Sequence, residues 1–256
     1  MGKREFVTVV LAAGKGKRMK DPNLPKVMYK VNGKPMVHYV VDLAKRIGSE
    51  SVIVVVGNKR EIVMKYLEAA FGDGVVFALQ QEQLGTGHAV LQTEDMLSTF
   101  DGEVLVLSGD VPILTEKTIR RLIDAHYQNH SIATVLTAMV DDPTGYGRIL
   151  RLSDGSVDRI VEEKDSSAQQ KKIKEINSGI YLFSRKELFE ALHHINSDNA
   201  QHEYYLTDVL GYFAERKIKI SAVAADDFNE IRGVNTPEQL DELEKIVRNE
   251  CRVSGG

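Results

Sequence analysis

FVTVVLAAGKGKRM, Phe6 to Met19, sets the reading of the chain. Phe6 to Leu11 is apolar and rich in β-branched residues but too short for a buried helix, so it reads as a strand covered on both faces. The strand ends at Ala12-Ala13-Gly14 and runs into a loop dense in cations. From Ala12 to Lys26 that loop carries Lys15, Lys17, Arg18, Lys20 and Lys26 against one acid, Asp21. Gly14 and Gly16 let main-chain N–H groups approach an anion closely while the cations neutralise it, a composition suited to a triphosphate. A merely solvated charged loop has the same composition, so the elements around it must decide.

Working outward, strand-like runs at Ser51 to Val56, Val75 to Leu79, Glu103 to Leu107 and Ile132 to Val140 alternate with helix-like runs. In Pro35 to Ile47 the apolar residues Met36, Val37, Val40, Val41, Ala44 and Ile47 fall on one face at helical spacing, and Lys59 to Phe71 and Thr115 to Asn129 read likewise. Such alternation predicts an α/β fold, a mostly parallel central sheet with helices on both faces. From about Asp141 shorter strands are predicted at Gly147 to Leu152, Val157 to Glu162 and Ile176 to Phe183, with Asp154-Gly155 as a hairpin turn. Helices at Arg185 to His194 and about Tyr205 to Arg216, a strand at Ile218 to Ala224 and a last helix at Pro237 to Arg248 follow, Thr236 being the N-cap. One catalytic unit is expected, with a nucleotide-binding lobe over about 1–140, a smaller sugar-binding lobe over about 141–225 and a return segment and helix over about 226–256.

Composition narrows the functional classes. At 256 residues, 43% hydrophobic and 27% charged, the chain is an ordinary globular protein. A net charge of −4 argues against general affinity for nucleic acid or an anionic membrane, so phosphate binding must come from a local cluster of cations. Cys251 is the single cysteine, which excludes an internal disulfide and a cysteine zinc site and fits a reducing, cytoplasmic compartment. No apolar run approaches the ~18 residues of a membrane span.

In an open parallel sheet, ligands sit beyond the carboxyl ends of the strands. The cationic loop lies at such an end, yet it is neither of two familiar phosphate loops: Leu11 stands where a Walker A motif needs glycine, and Met19 where a dinucleotide fingerprint needs its third. A second segment, QQEQLGTGH (Gln80 to His88), offers amide donors and acceptors able to read a base edge, although Gly85-Thr86-Gly87 would serve equally as a turn before a helix from Ala89 to Met96. The third is SGDVP, Ser108 to Pro112. An Asp at the end of a buried strand is costly unless it meets a cation, which suits Asp110 to Mg²⁺ held by few protein oxygens and by phosphates. Alternatively Asp110 caps the helix that begins near Thr115.

LAAGKGKRM, Leu24-Pro25-Lys26, QLGTGHA, SGDVP, GYGRI (Gly145 to Ile149), Glu162 to Asp165, INSGIY (Ile176 to Tyr181), EYYLTD (Glu203 to Asp208) and GVN (Gly233 to Asn235) occur in that order. In this set the chain resembles the N-terminal uridylyltransferase domain of the bacterial bifunctional enzymes that make UDP-N-acetylglucosamine, within the Rossmann-like sugar nucleotidyltransferases. The resemblance runs from about Val7 to the last helix. It implies that Leu11, Ala12, Ala13 and Gly14 contact the nucleotide through backbone, that Gln80, Gly85 and Thr86 hold uracil, and that Arg18 and Lys26 contact the phosphates. It also implies that Gly147, Glu162, Asn177, Tyr205 and Thr207 recognise the sugar, and that Asp110 and Asn235 bind Mg²⁺. Ser108 departs from the family, whose best known bacterial members carry a larger tyrosine there, so contacts near the sugar or base are expected to differ. The acetyltransferase β-helix of those enzymes is not found in this sequence. The implied partners are UTP and a sugar 1-phosphate, N-acetylglucosamine 1-phosphate first among them, with other nucleotide and sugar pairs and a catalytically silent sensing module as alternatives.

Overall fold

In the computed structural model, residues 5–16, 18–21 and 23–253 are described, with side chains through 247. Lys17 of the cationic loop and the side chain of Cys251 lie outside them. The chain opens with β1 (Phe6–Leu11), a small hairpin of β2 (Lys30–Val31) and β3 (Lys34–Pro35), then α1 (Met36–Arg46), β4 (Val52–Val56), α2 (Arg60–Phe71) and β5 (Val76–Leu79). It continues with α3 (Thr86–Leu91), β6 (Glu103–Ser108), α4 (Glu116–Gln128), β7 (Ala133–Met139), β8 (Arg148–Arg151) and β9 (Val157–Val161). The last part is β10 (Glu175–Ser184), α5 (Arg185–Leu192), α6 (Asp208–Glu215), β11 (Ile220–Ala224) and α7 (Pro237–Val253).

The central sheet has the order β11-β7-β10-β6-β1-β4-β5, and β8 with β9 hangs as a hairpin from the N-terminal part of β10. Pairings among β6, β1, β4 and β5 and between β11 and β7 are parallel, whereas β10 runs antiparallel to both neighbours. Successive side chains of a strand face opposite ways, and the cores follow that rule. Val10, Val54, Leu105 and Leu107 pack on one face against α1, α2 and α4; Val9, Ile53, Val55 and Val106 pack on the other against α3, α5 and α6. The α/β expectation therefore holds, with helices on both faces. A small third cluster, Val31, Met36, Val234 and Leu243, seats α7 on the β2–β3 hairpin. Among the described residues no helix is long and apolar enough to cross a membrane.

Two boundaries differ from the sequence reading for a physical reason. The helix expected from Ala89 to Met96 is α3, which begins at Thr86 and ends at Leu91, residues 95–97 forming a separate 3-10 turn. Its first turn is recruited from a distant segment: the Gly87 N–H donates to the Tyr204 carbonyl at 2.8 Å, and the Leu206 N–H donates to Thr86 Oγ1 at 3.0 Å. Those same contacts hold residues 204–206 to α3, and α6 begins at Asp208 rather than near Tyr205. The predicted N-cap of the last helix is present, the Gln239 N–H donating to Thr236 Oγ1 at 3.3 Å.

Candidate active site

The carboxyl ends of β1, β5 and β6 open on a cleft of about 590 Å³. Its walls include Leu11, Ala13, Gly14 and Arg18 after β1, Gln80, Gly85 and Thr86 after β5, and Asp110 after β6, with Lys26 and Asn235. Ala12 is the one residue of the expected nucleotide set outside this lining. Its side chain is buried in the core, and its N–H donates to the Val55 carbonyl at 2.9 Å.

Lys26 stands at the start of a short 3-10 turn that follows Pro25, whose ring fixes φ at −55°. Val27 and Met28 bury themselves beneath the turn and leave the lysine to project into the cleft. Its ammonium donates to Asp110 Oδ2 at 2.5 Å and to Asn235 Oδ1 at 3.0 Å. Asp110 sits in the turn beyond β6, where the Gly109 N–H donates back to the Leu11 carbonyl at 3.0 Å. Asn235 arrives because the Val234 N–H donates to the Asp110 carbonyl, also at 3.0 Å. Asp110 is not the cap of α4: Thr115 is, its hydroxyl accepting from the Thr118 N–H. Gly16 is required beneath this arrangement, since its φ is +58° and a Cβ there would come within 2.8 Å of Lys26 Cβ.

At the other wall, Gly85 precedes α3 with φ +112°, and a Cβ would meet the Tyr204 carbonyl oxygen at 2.5 Å. Gln80 is buried, and its Nε2 donates to the Gly85 carbonyl at 3.0 Å.

The expected sugar residues gather into one cluster beside the cleft. A Cβ at Gly147 would lie 3.4 Å from Glu162 Oε1 and 3.5 Å from Asn177 Cβ, and Thr207 Oγ1 donates to Glu162 Oε1 at 3.3 Å. Asn177 Oδ1 accepts from the Gly179 N–H, and Ser108 Oγ, on the cleft wall, lies 3.5 Å from the Gly179 carbonyl oxygen. Glu162, Tyr205 and Thr207 also border a second hollow of about 400 Å³, next to Asp165 and Asp208. Burial raises the Glu162 carboxyl above the ordinary range against the Thr207 hydrogen bond, with Asp208 and Asp165 adding to the rise. Burial and then Asp165 push Asp208 up to about 6, and burial chiefly pushes Tyr205 up to about 12.

Lining residues that were not read from the sequence as site residues include Lys164, Gln201 and Glu203. Lys164 Nζ donates to Gln201 Oε1 at 2.8 Å, and Gln201 Nε2 donates to the Tyr205 hydroxyl at 2.8 Å. Lys164 and Glu203 fall inside the motifs Glu162 to Asp165 and EYYLTD, but nothing local marks Gln201.

Residues 7–229 match the nucleotidyl transferase family. The chain belongs to that family. As a nucleotidyl transferase it is similar to the bifunctional protein GlmU of Caldanaerobacter subterraneus subsp. tengcongensis, 49% identical over 98% of this chain and 54% of the relative. It is likewise similar to the bifunctional protein GlmU of a Geobacillus species, at 49% identity over 95% of this chain and 52% of the relative. The chain spans about half the length of the curated relatives it matches. A UDP-glucose pyrophosphorylase complexed with UDP-glucose shares the fold at a TM-score of 0.77 and 20% identity, covering 96% of this chain and 99% of that one. So does a putative glucose-1-phosphate thymidylyltransferase from Bacillus anthracis, at 0.77 and 21%, covering 95% of each.

Proposed function

We propose that this nucleotidyl transferase joins UTP to N-acetylglucosamine 1-phosphate, forming UDP-N-acetylglucosamine and pyrophosphate. One observation carries the reading: Lys26, Asp110 and Asn235, from three distant parts of the chain, meet at a single ammonium in a cleft that also holds Arg18, Gly14 and Gln80. The ordered motifs supply the substrate pair, and the family supplies the reaction class. Residues up to about 140 then serve the nucleotide, those of about 141–225 the sugar, and the return segment brings Asn235.

In this reaction an oxygen of the sugar 1-phosphate attacks the α-phosphorus in line, the new P–O bond forming as the bond to the β-phosphate's bridging oxygen breaks. The nucleophile is already an anion, so no general base is required. What remains is to bring two polyanions together and to neutralise charge as it develops. Lys26 and Arg18 do this at the phosphates, and the main chain at Leu11 to Gly14 holds the nucleotide. Gln80, Gly85 and Thr86 take the uracil; Gly147, Glu162, Asn177, Tyr205 and Thr207 take the sugar.

Mg²⁺ fits the same place. Two hard oxygen donors, Asp110 Oδ2 and Asn235 Oδ1, converge on one cationic point, and one anionic with one neutral oxygen leaves further positions for phosphate and water. Asp110 and Asn235 would hold the ion, which supplies Lewis-acid neutralisation of the phosphates.

Pyrophosphate release measured over a grid of nucleoside triphosphates and sugar 1-phosphates with Mg²⁺ tests the proposal. Preference for UTP with N-acetylglucosamine 1-phosphate is the expected result. Preference for another pair overturns the substrates, and no release with any pair overturns the reaction.

A further inference from the structure

Arg148 is among the largest side chains that the fold buries completely, only 1% of it being exposed, and no step of the proposed reaction uses it. It opens β8, in register with Val161 of β9 and Ile176 of β10. Gly147 precedes it, and Glu162 and Asn177 follow those two partners, so three residues of the sugar cluster each stand one step from this junction. The guanidinium ties the junction together. It donates to the Tyr146 carbonyl and, at 2.6 Å, to Glu163 Oε2, and it lies 3.5 Å from the Lys171 carbonyl oxygen. Glu163 Oε2 also accepts from the Gly145 N–H at 3.3 Å. The loop before Gly147 and the residue after Glu162 are thus held to one ion pair. Asn177 joins through the main chain, its N–H donating to the Gly147 carbonyl at 2.9 Å. Burial works against the charge on Glu163, but the hydrogen bonds from Arg148 and the Gly145 N–H hold its carboxyl below the usual range, so it meets the guanidinium as a carboxylate.

Burying a guanidinium costs desolvation energy, and an apolar side chain of similar volume would fill the same space without it. What an apolar side chain lacks is direction, since the planar fork fixes the angles at which its acceptors must lie. We propose that Arg148 is a positioning residue for the sugar 1-phosphate: with Glu163 it sets the spacing of Gly147 and Glu162, and so the fit of a sugar between them. Being buried, it acts only through these neighbours. This rests on the reading that the sugar binds at Gly147, Glu162 and Asn177.

The test compares Arg148→Met, Glu163→Ala, Glu163→Gln and the double variant Arg148→Met with Glu163→Ala. Pyrophosphate release, with UTP and N-acetylglucosamine 1-phosphate varied in turn, gives kcat and both KM values for each protein. Arg148→Met and Glu163→Ala should each raise KM for the sugar 1-phosphate about tenfold, roughly the loss of one hydrogen bond, with KM for UTP within about twofold and kcat within about threefold. The double variant should be no worse than the worse single one, because both substitutions break the same clamp. Glu163→Gln keeps an acceptor for the guanidinium and for the Gly145 N–H, and its sugar KM should stay within about threefold of the wild type. An unchanged sugar KM in Arg148→Met, equal rises in both KM values, or effects that multiply in the double variant overturn the positioning role. The underlying reading fails separately, if Glu162→Ala leaves the sugar KM as it was. Should Arg148→Met not fold, as judged by circular dichroism, the Glu163 pair decides: a rise in sugar KM with Glu163→Ala but not with Glu163→Gln supports the clamp, and no difference between them overturns it.

Discussion

The two ends of the site handle charge in opposite ways. Around Lys26 the charges are matched: the ammonium meets Asp110 and Asn235, and both ion-pair partners keep some exposure, 18% and 15% of their side chains. Around Glu162 the acids outnumber their partners, and burial drives Glu162 and Asp208 toward the protonated form. A polyanion needs cations that are already aimed, with their own counter-charge close enough to hold them in place. A neutral sugar needs hydrogen-bonding groups without a strong field, which buried carboxyls of raised pKa provide. Under the proposed function the contrast separates a region that works by charge on the phosphates from one that works by shape and hydrogen bonds on the sugar.

The largest effect should come from breaking the matched end. Asp110→Ala leaves Lys26 without its anion and is expected to lower kcat by about 10²-fold or more, the size seen when an electrostatic group is lost at a transition state; a near-normal rate of pyrophosphate release would remove Asp110 from the chemistry. Arg18→Ala, at the exposed rim of the same cleft, should also cost about 10²-fold in kcat, and a change confined to KM would make it a binding residue only. Gly85→Ala strains a left-handed residue and drives a methyl group into the Tyr204 carbonyl, so urea denaturation should show a loss of about 1–3 kcal/mol. No loss there would mean that the joint between α3 and residues 204–206 is looser than described.

The smallest effect belongs to the acid cluster. Asp208 has its folded pKa raised to about 6, above its unfolded value of about 3.9, so the folded state binds its proton more tightly than the unfolded chain does. Its contribution therefore favours folding below the unfolded pKa and is lost as pH rises from about 4 through about 6. Asp208→Asn should flatten the dependence of Tm on pH across that window. A wild-type slope in the variant would show that the carboxyl is better solvated than its burial implies.

Much of the fold was legible because its signals are local. The apolar runs of β1, β4 and β6 and the one-sided pattern of α1 need no partner to be recognised, and Thr236-Pro237 marks the start of α7 on its own. The cationic loop and Asp110 could be singled out for the same reason, being unusual residues at predicted strand ends. The start of α3 could not, because the contacts of Thr86 and Gly87 come from residues 204–206. Lys164 and Gln201 stayed hidden for a similar reason: their place in the cleft depends on how the segments after β9 and before α6 fold against α3.

By itself, then, the sequence determined the alternating architecture, the cationic loop after β1 and the order of motifs that marks a nucleotidyl transferase, since periodicity and residue chemistry are written along the chain. Only the tertiary structure decided that Lys26 stands between Asp110 and Asn235, that Glu162 is pushed toward neutrality, and that the buried Gln80 donates its amide to the Gly85 carbonyl. Each of these depends on a distance or a degree of burial set by residues remote in sequence, and electrostatic and hydrogen-bond energies depend on such distances rather than on the identity of neighbours along the chain.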